Sequence, residues 1–136
     1  MIRKIEVKPA QPAIRVFKTK AFSKLAKKAE IPDEELWDAA VALTKGQGDN
    51  LGGNVWKKRL NSNTHRSIVV EKVSDNWIFV FLFAKKDMAN IDEDQLKKLK
   101  KLASDFGKMK QADIDSMIEA KDLQEVFGND QDQIQE

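Results

Sequence analysis

The most constraining feature of the sequence is the run Trp77–Phe83 (WIFVFLF), in which every side chain is apolar. The run is far too short to span a bilayer, and its aromatic and branched residues favour a β-strand. Because successive side chains of a strand point to opposite faces, a strand that is apolar at every position is buried on both faces. Residues 77–83 are therefore predicted to form the central strand of a sheet.

Two further strands are predicted upstream of this run, over Val55–Leu60 and Ser67–Val73. Turn residues separate them, with Asn61-Ser62-Asn63 after the first and Ser74-Asp75-Asn76 after the second, and Gly52-Gly53 marks a turn before both. Three sequential strands joined by short turns predict an antiparallel meander.

Helices are predicted on the N-terminal side of the meander. Ile14–Phe17 reads as a short strand, and Thr19 can cap a helix whose apolar residues recur at helical spacing. A second helix is expected to open at Pro32 and to end by Gly46. The two helices form a predicted helical hairpin.

Two more helices are predicted after the meander. Asn90 is expected to cap the third helix, with Glu93 in the capping-box position and Gly107 after its end. The last helix is predicted over residues 113–120. The expected fold class is α+β, with helices packed on one face of a small antiparallel sheet.

The chain is expected to form one domain. Pro9 and Pro12 predict an N-terminal arm over residues 1–12, residues 13–127 form the domain, and the polar, acidic residues 128–136 are predicted to be disordered. The chain has 136 residues, long enough to bury a hydrophobic core without a disulfide or a structural metal.

Charge is distributed unevenly, although the net charge is only +2. Residues 1–28 carry nine Lys and Arg against one acid, whereas residues 102–136 carry three Lys against nine acids. Such a chain can present a basic surface to a polyanion. The absence of Cys fits a reducing compartment, and no signal peptide is apparent, so we expect a soluble cytoplasmic protein without a membrane partner.

Several enzyme classes lack support in the sequence. A Ser-His-Asp or Cys-His site requires a histidine beside a nucleophile, and His65 is the only histidine. The carboxylates fall mainly in first turns of helices and in the tail, so no metal site is predicted, and no glycine-rich phosphate loop occurs. We expect no metal and no cofactor.

The predicted sheet does carry a set of cations. Lys57 and Arg59 alternate onto one face of their strand, while Lys58 faces the other way and is expected to reach the rim. From periodicity alone, the set fits either a phosphate site on a face left uncovered by helices or charges that keep an exposed sheet soluble. Its members are Lys57, Arg59, Arg66, Lys85 and Lys86.

The order of these segments resembles a known family. LGGNVWKKRL, HRSIVVEK, WIFVFLFAKKDMANI and DQLKKLKKLA are similar to the RelE/ParE superfamily of bacterial toxins, and closest to its branch related to HigB. The similarity spans roughly residues 16–127. It implies a RelE-like, microbial-ribonuclease-like fold, binding in the ribosomal A site, cleavage of the mRNA there, and a cognate antitoxin that is a helix-turn-helix protein encoded nearby.

The resemblance also implies a metal-independent reaction, in which the RNA 2′-hydroxyl attacks its neighbouring phosphorus and leaves 2′,3′-cyclic phosphate and 5′-hydroxyl ends. It assigns phosphate handling and proton transfer to the five cations of the set, and leaves the general acid open. Contacts to RNA are predicted for Lys58, His65, Lys20 and Lys24.

The sequence departs from the family pattern at two places. The turn before Arg66 is short and lacks glycine, and Lys86, Asp87 and Met88 replace a frequent asparagine, glutamate and arginine. Two alternatives therefore stay open, a ParE-like poison of DNA gyrase and a non-catalytic RNA-binding module. The cationic set favours the ribonuclease.

Overall fold

The structure is a computed structural model that describes residues 14–72, 75–88 and 90–128. The predicted arm, residues 1–12, and residues 129–136 of the predicted tail lie outside the described residues. The elements in the described ranges are β1 (Arg15–Thr19), α1 (Lys20–Lys28), α2 (Asp33–Thr44), β2 (Asp49–Gly52), β3 (Val55–Leu60), β4 (His65–Lys72), β5 (Asn76–Ala84), α3 (Glu93–Lys108), α4 (Gln111–Glu119) and β6 (Leu123–Val126).

The six strands form one sheet in the order β2-β3-β4-β5-β1-β6. The predicted meander is confirmed, because β3, β4 and β5 pair antiparallel in sequence order, and β5 lies in the interior of the sheet as expected. Strand β1 pairs parallel with β5 and antiparallel with β6. The α+β class is therefore confirmed, with a sheet that is mostly antiparallel.

The expectation that helices cover one face of the sheet is wrong. Trp77 and Phe79 of β5 belong to a core cluster that contains residues of α1 and α2, whereas Ile78 and Val80 belong to a second cluster with residues of α3 and α4. Alternate side chains of the same strand thus pack under different helices. A central strand that is apolar on both faces needs cover on both, which the two helix pairs supply.

Some elements differ from their predicted bounds. Strands β2 and β6 were not predicted, because each is only four residues long and carries polar side chains. The N-cap of α3 is Asp92 rather than Asn90: Asp92 Oδ1 accepts the Gln95 N–H at 2.8 Å, and Gln95 Oε1 accepts the Asp92 N–H at 3.1 Å. Gln95, not Glu93, therefore completes the capping box. Across the described ranges, no helix is both long and apolar enough to cross a membrane.

The predicted cap of α1 is confirmed, since Thr19 Oγ1 accepts the Phe22 N–H at 3.1 Å. Thr19→Ala is expected to lower the free energy of unfolding by about 1 kcal/mol, because an N–H of the first helical turn loses its partner. Thr44→Ala is the matched control, since the exposed Thr44 hydroxyl only donates to the Val41 carbonyl at the end of α2. Urea unfolding of the two variants would contradict this role of Thr19 if both lost the same stability.

Candidate functional site

The turn between β3 and β4 has an unusual backbone. Asn61, Ser62 and Asn63 have φ angles of 57°, 53° and 72°, so three consecutive residues lie in the left-handed region. Asparagine tolerates this region better than most residues, because its short polar side chain can hydrogen-bond locally. The two asparagines thus take positions that glycine would otherwise favour.

This turn is tied to three neighbouring elements. The Thr64 hydroxyl donates to the Asn61 carbonyl at 2.7 Å, and the Lys85 N–H at the end of β5 donates to the Thr64 carbonyl at 2.9 Å. The Asn61 N–H donates to the Glu35 carboxylate of α2, and the Asn61 side-chain amide donates to the Ala29 carbonyl at the end of α1, at 3.4 Å. The turn therefore has a fixed position relative to the helical hairpin and the sheet end.

Arg66 lies beside this turn and is 8% exposed. Its Nη1 donates to the carbonyls of Asn63 and His65 at 3.0 and 3.1 Å. Across the strand pairs, Arg66 faces Arg59 on β3 and Phe83 on β5. The cations were predicted to lie on a sheet face that helices leave uncovered. This prediction is wrong for Arg66, because α3 and α4 cover most of the face that carries it. Arg59, on the same face, is exposed.

Lys57 lies two residues before Arg59 on the same face of β3, and its side chain is 16% exposed. The Lys57 ammonium is 3.2 Å from Asn90 Oδ1 and 3.7 Å from Asp49 Oδ2. It is thus held between strand β2 and the segment that leads into α3. Asn90 itself lies two residues before Asp92, the N-cap of α3.

Lys58 points to the opposite face of β3, as the alternation predicted. Its ammonium donates to the Gln47 carbonyl at 2.7 Å, just after the end of α2. A groove of about 330 Å³ lies at this edge of the sheet. Its lining residues are Gln47, Gly48, Asp49, Lys57, Lys58 and Arg59.

Lys85 and Lys86 are exposed and follow β5. Together with His65 they line a groove of about 610 Å³ at the end of the sheet. His65 is half-buried, and its Nδ1 is 2.8 Å from Thr64 Oγ1 and 3.2 Å from Asn61 Nδ2. The structure therefore divides the predicted site between the two faces of the sheet. Arg59 and Arg66 lie on the face of the cluster beneath α3 and α4, whereas His65 lies on the opposite face with Leu60 and lines the groove with Lys85 and Lys86.

The lysines predicted on α1 lie elsewhere. Lys20 and Lys24 are exposed, and neither lines a groove with His65. Lys28 does, at the other end of the helix, in an adjoining groove of about 590 Å³ that also contains Leu25 and Met88. The helical spacing of Leu25 and Lys28 places them on one face of α1, but only the packing of that helix on the sheet end brings them to His65.

The described residues contain no group of three or more His, Cys, Asp or Glu side chains placed to hold a metal ion. Guanidinium and ammonium groups can bind a phosphodiester and stabilise added negative charge, and the imidazole can transfer a proton.

Comparison with known proteins finds a family match. The model of a protein family described as the RelE toxin of the RelE/RelB toxin-antitoxin system matches residues 14–126, which include every element of the sheet. A search of curated proteins finds no match to the chain. The family match does not specify the HigB branch.

Proposed function

The chain belongs to the RelE toxin family of toxin-antitoxin systems, and from this premise we propose that it is a ribosome-dependent endoribonuclease that cleaves mRNA in the A site and thereby inhibits translation. Toxins of this family are generally endoribonucleases. Members are paired with an antitoxin, so an antitoxin is a partner of this chain.

The observation that carries the proposal is the Arg59–Arg66 pair. The two residues lie directly opposite each other on β3 and β4, and Lys57 lies further along the same face of β3. Like charges opposite each other on a sheet destabilise it, and the two hydrogen bonds of Arg66 to the turn do not require a second guanidinium group, that of Arg59, beside it. A phosphodiester between them would relieve this repulsion. Guanidinium groups also suit this task because their planar fork donates two hydrogen bonds to one phosphate.

The proposed reaction forms a bond between the RNA 2′-oxygen and the adjacent phosphorus and breaks the bond from phosphorus to the 5′-oxygen. A base accepts the 2′-hydroxyl proton, and the 5′-oxygen leaves with the bonding electrons and gains a proton. Negative charge on the phosphorane rises in between. Arg66 and Arg59 are proposed to stabilise that charge, since arginine stays protonated.

The lysines take the remaining roles in this proposal. Lys57 must leave Asn90 or Asp49 to reach a phosphate or a 2′-hydroxyl, and both partners lie at the surface, where water can replace such contacts. Lys85 and Lys86 at the sheet end, with Lys58 at the edge, are proposed to bind neighbouring phosphates of the RNA. Lys20 and Lys24 on the exposed surface of α1 are proposed to contact RNA further from the cleaved bond.

The proposed antitoxin is a helix-turn-helix protein encoded next to this chain, in keeping with the HigB-like segments of the sequence. We propose that it covers the cationic surface or the basic helical hairpin. All four lysines of α1 are exposed, and none forms an ion pair with a described residue. An acidic segment of a partner would neutralise them.

Purified protein is expected to cleave mRNA only when ribosomes are present, and to leave 2′,3′-cyclic phosphate and 5′-hydroxyl ends. Because ribosomes themselves require magnesium, the ends of the fragments should be analysed while the metal is substituted. Ends bearing 5′-phosphate and 3′-hydroxyl would contradict the mechanism.

A DNA gyrase assay run beside the translation assay separates the alternatives. Gyrase-linked DNA damage without transcript cleavage would indicate a ParE-like toxin instead. RNA binding without either activity would indicate a non-catalytic module, for which Met88 in place of the family's arginine is the supporting feature.

A further inference from the structure

The groove of about 590 Å³ between the end of α1 and the end of β5, which we call the α1 groove, is lined mostly by apolar side chains. These are Leu25, Ala29, Leu82, Phe83, Ala84 and Met88. Leu25 is 39% exposed, although it lies on a helix that also carries four lysines. The α1 groove is therefore a surface at which clustered apolar side chains stay in contact with water, as at sites that bind a partner.

Lysines surround the apolar part of the α1 groove. Lys28 lines it from the helix and Lys86 from the sheet end, and Lys24 lies one helical turn before Lys28. None of these three ammonium groups forms an ion pair with a described residue. Asp87 is the one carboxylate among the described residues of the lining. The α1 groove thus combines apolar surface with excess positive charge, which carboxylates of an occupant would neutralise.

The lining of the α1 groove favours a protein segment over RNA. Nucleobases bind by stacking on flat rings or on guanidinium planes. Phe83 is only 7% exposed, so the half-buried His65 is the one flat side chain that the described lining offers. Leu25, Ala29 and Met88 provide aliphatic surface, which gains free energy by burying apolar side chains of a partner.

The α1 groove adjoins the cations at the sheet end. His65 and Lys86 line both this groove and the groove of about 610 Å³ that contains Lys85. Arg59 and Arg66 lie on the other face of the sheet, so an occupant of the α1 groove does not need to contact them. Such an occupant would cover the lysines that are proposed to bind phosphates of the RNA.

We propose that the α1 groove is the docking site of the antitoxin, an inference that rests on the proposed function. The occupant is a segment of the antitoxin whose apolar side chains contact Leu25 and Met88 and whose carboxylates face Lys28 and Lys86. Apolar anchors inside a polar rim are the usual anatomy of a protein interface. The docked segment neutralises the toxin because it excludes RNA from the sheet end, and it leaves the arginine pair uncovered.

Charge-reversing variants test this docking site. The partner in the test is each small protein encoded beside this chain, co-expressed and purified with it. Leu25→Glu and Lys28→Glu are each expected to weaken the complex by about 10- to 100-fold, the loss that is typical of a central contact in an interface. Because both side chains are exposed, both variants should fold and arrest growth on their own. Unlike the wild type, they should also arrest growth when the antitoxin is present.

Phe127→Glu and Lys98→Glu are the matched controls. Phe127 is the other exposed large apolar side chain among the described residues, just after β6, and Lys98 is exposed on α3. Both controls should bind the antitoxin as the wild type does and should stay neutralised by it.

A labelling experiment locates the contact directly. The sequence has no cysteine, so Leu25→Cys and Lys98→Cys each introduce a single thiol. Maleimide labelling of the Leu25→Cys chain, measured as the mass of the intact chain, should be lost in the complex. Labelling of the Lys98→Cys chain should be unchanged.

Unchanged affinity of Leu25→Glu for an antitoxin that neutralises the wild type would overturn the docking site, as would full labelling of the Leu25→Cys chain in the complex. A wild-type toxin that arrests growth and that no neighbouring small protein binds would overturn it too. Loss of growth arrest and of mRNA cleavage by folded Leu25→Glu protein without antitoxin would assign the α1 groove to RNA. If the wild type neither arrests growth nor cleaves mRNA, the proposed function itself fails, and this result appears before any variant is compared.

Discussion

Arg66→Ala is expected to slow mRNA cleavage by about 100- to 1000-fold, the usual loss when one preorganised donor to a transition-state anion is removed. The guanidinium is preorganised here because Nη1 donates to two backbone carbonyls and the side chain is 8% exposed. Cells that express this variant without antitoxin should keep growing. Growth arrest and single-turnover cleavage in programmed ribosomes are the two measurements.

The comparison needs variants that separate activity from folding. Because Arg66 is buried and hydrogen-bonded, its removal should also cost about 1–3 kcal/mol of stability, more than an exposed cation would. Arg59→Ala and Lys57→Ala should lose activity with a smaller loss of stability. Arg66→Lys should keep the positive charge but lack the planar fork of the guanidinium group. Lys98→Ala should stay toxic. An Arg66→Ala protein that is folded at the growth temperature and still arrests growth is incompatible with the proposed site.

Phe79→Ala is expected to lower the free energy of unfolding by about 3–5 kcal/mol, the range for a buried phenylalanine truncated in a core. Phe79 is fully buried on the central strand, and its ring centroid is 5.4 Å from that of Phe22 on α1. The cavity would lie between the sheet and the first helix. A loss of this size lowers Tm by roughly 10–20 °C in a domain of this length.

Phe127 provides the matched control, because it is the same residue type but 53% exposed. Phe127→Ala should change the free energy of unfolding by less than about 0.5 kcal/mol. Thermal melting of both variants checks the pair. A similar drop for both would mean that burial in the cluster beneath α1 and α2 does not determine stability here.

The central part of the fold was predictable because its residues carry a local signal. The apolar run of β5 and the asparagine turn identified the meander, and Thr19 identified the start of α1. A strand that is apolar on both faces also requires helices on both faces of the sheet. The prediction of helices on one face did not take this into account. Strands β2 and β6 escaped prediction since DNLG and LQEV are short and become strands only through their pairing partners.

The site was predictable residue by residue but not in its grouping. Alternation along β3 placed Lys57 and Arg59 on one face and Lys58 on the other, which the structure confirms. Burial of Arg66 depends on carbonyls of a left-handed turn, and no sequence period encodes that conformation. Lys28 belongs to the His65 groove through packing of α1 over the sheet end, a non-local arrangement.

The position of β1 has a consequence for how the chain acquires its structure during synthesis. Val16 pairs with Trp77 on one side and with Val126 on the other, so its partners are separated from it by long stretches of sequence. Contacts of such high sequence separation form late and slow folding. The newly made chain cannot complete its sheet until residue 126 has left the ribosomal exit tunnel, and a chain halted before that point exposes an unpaired edge of β1 to aggregation and proteolysis.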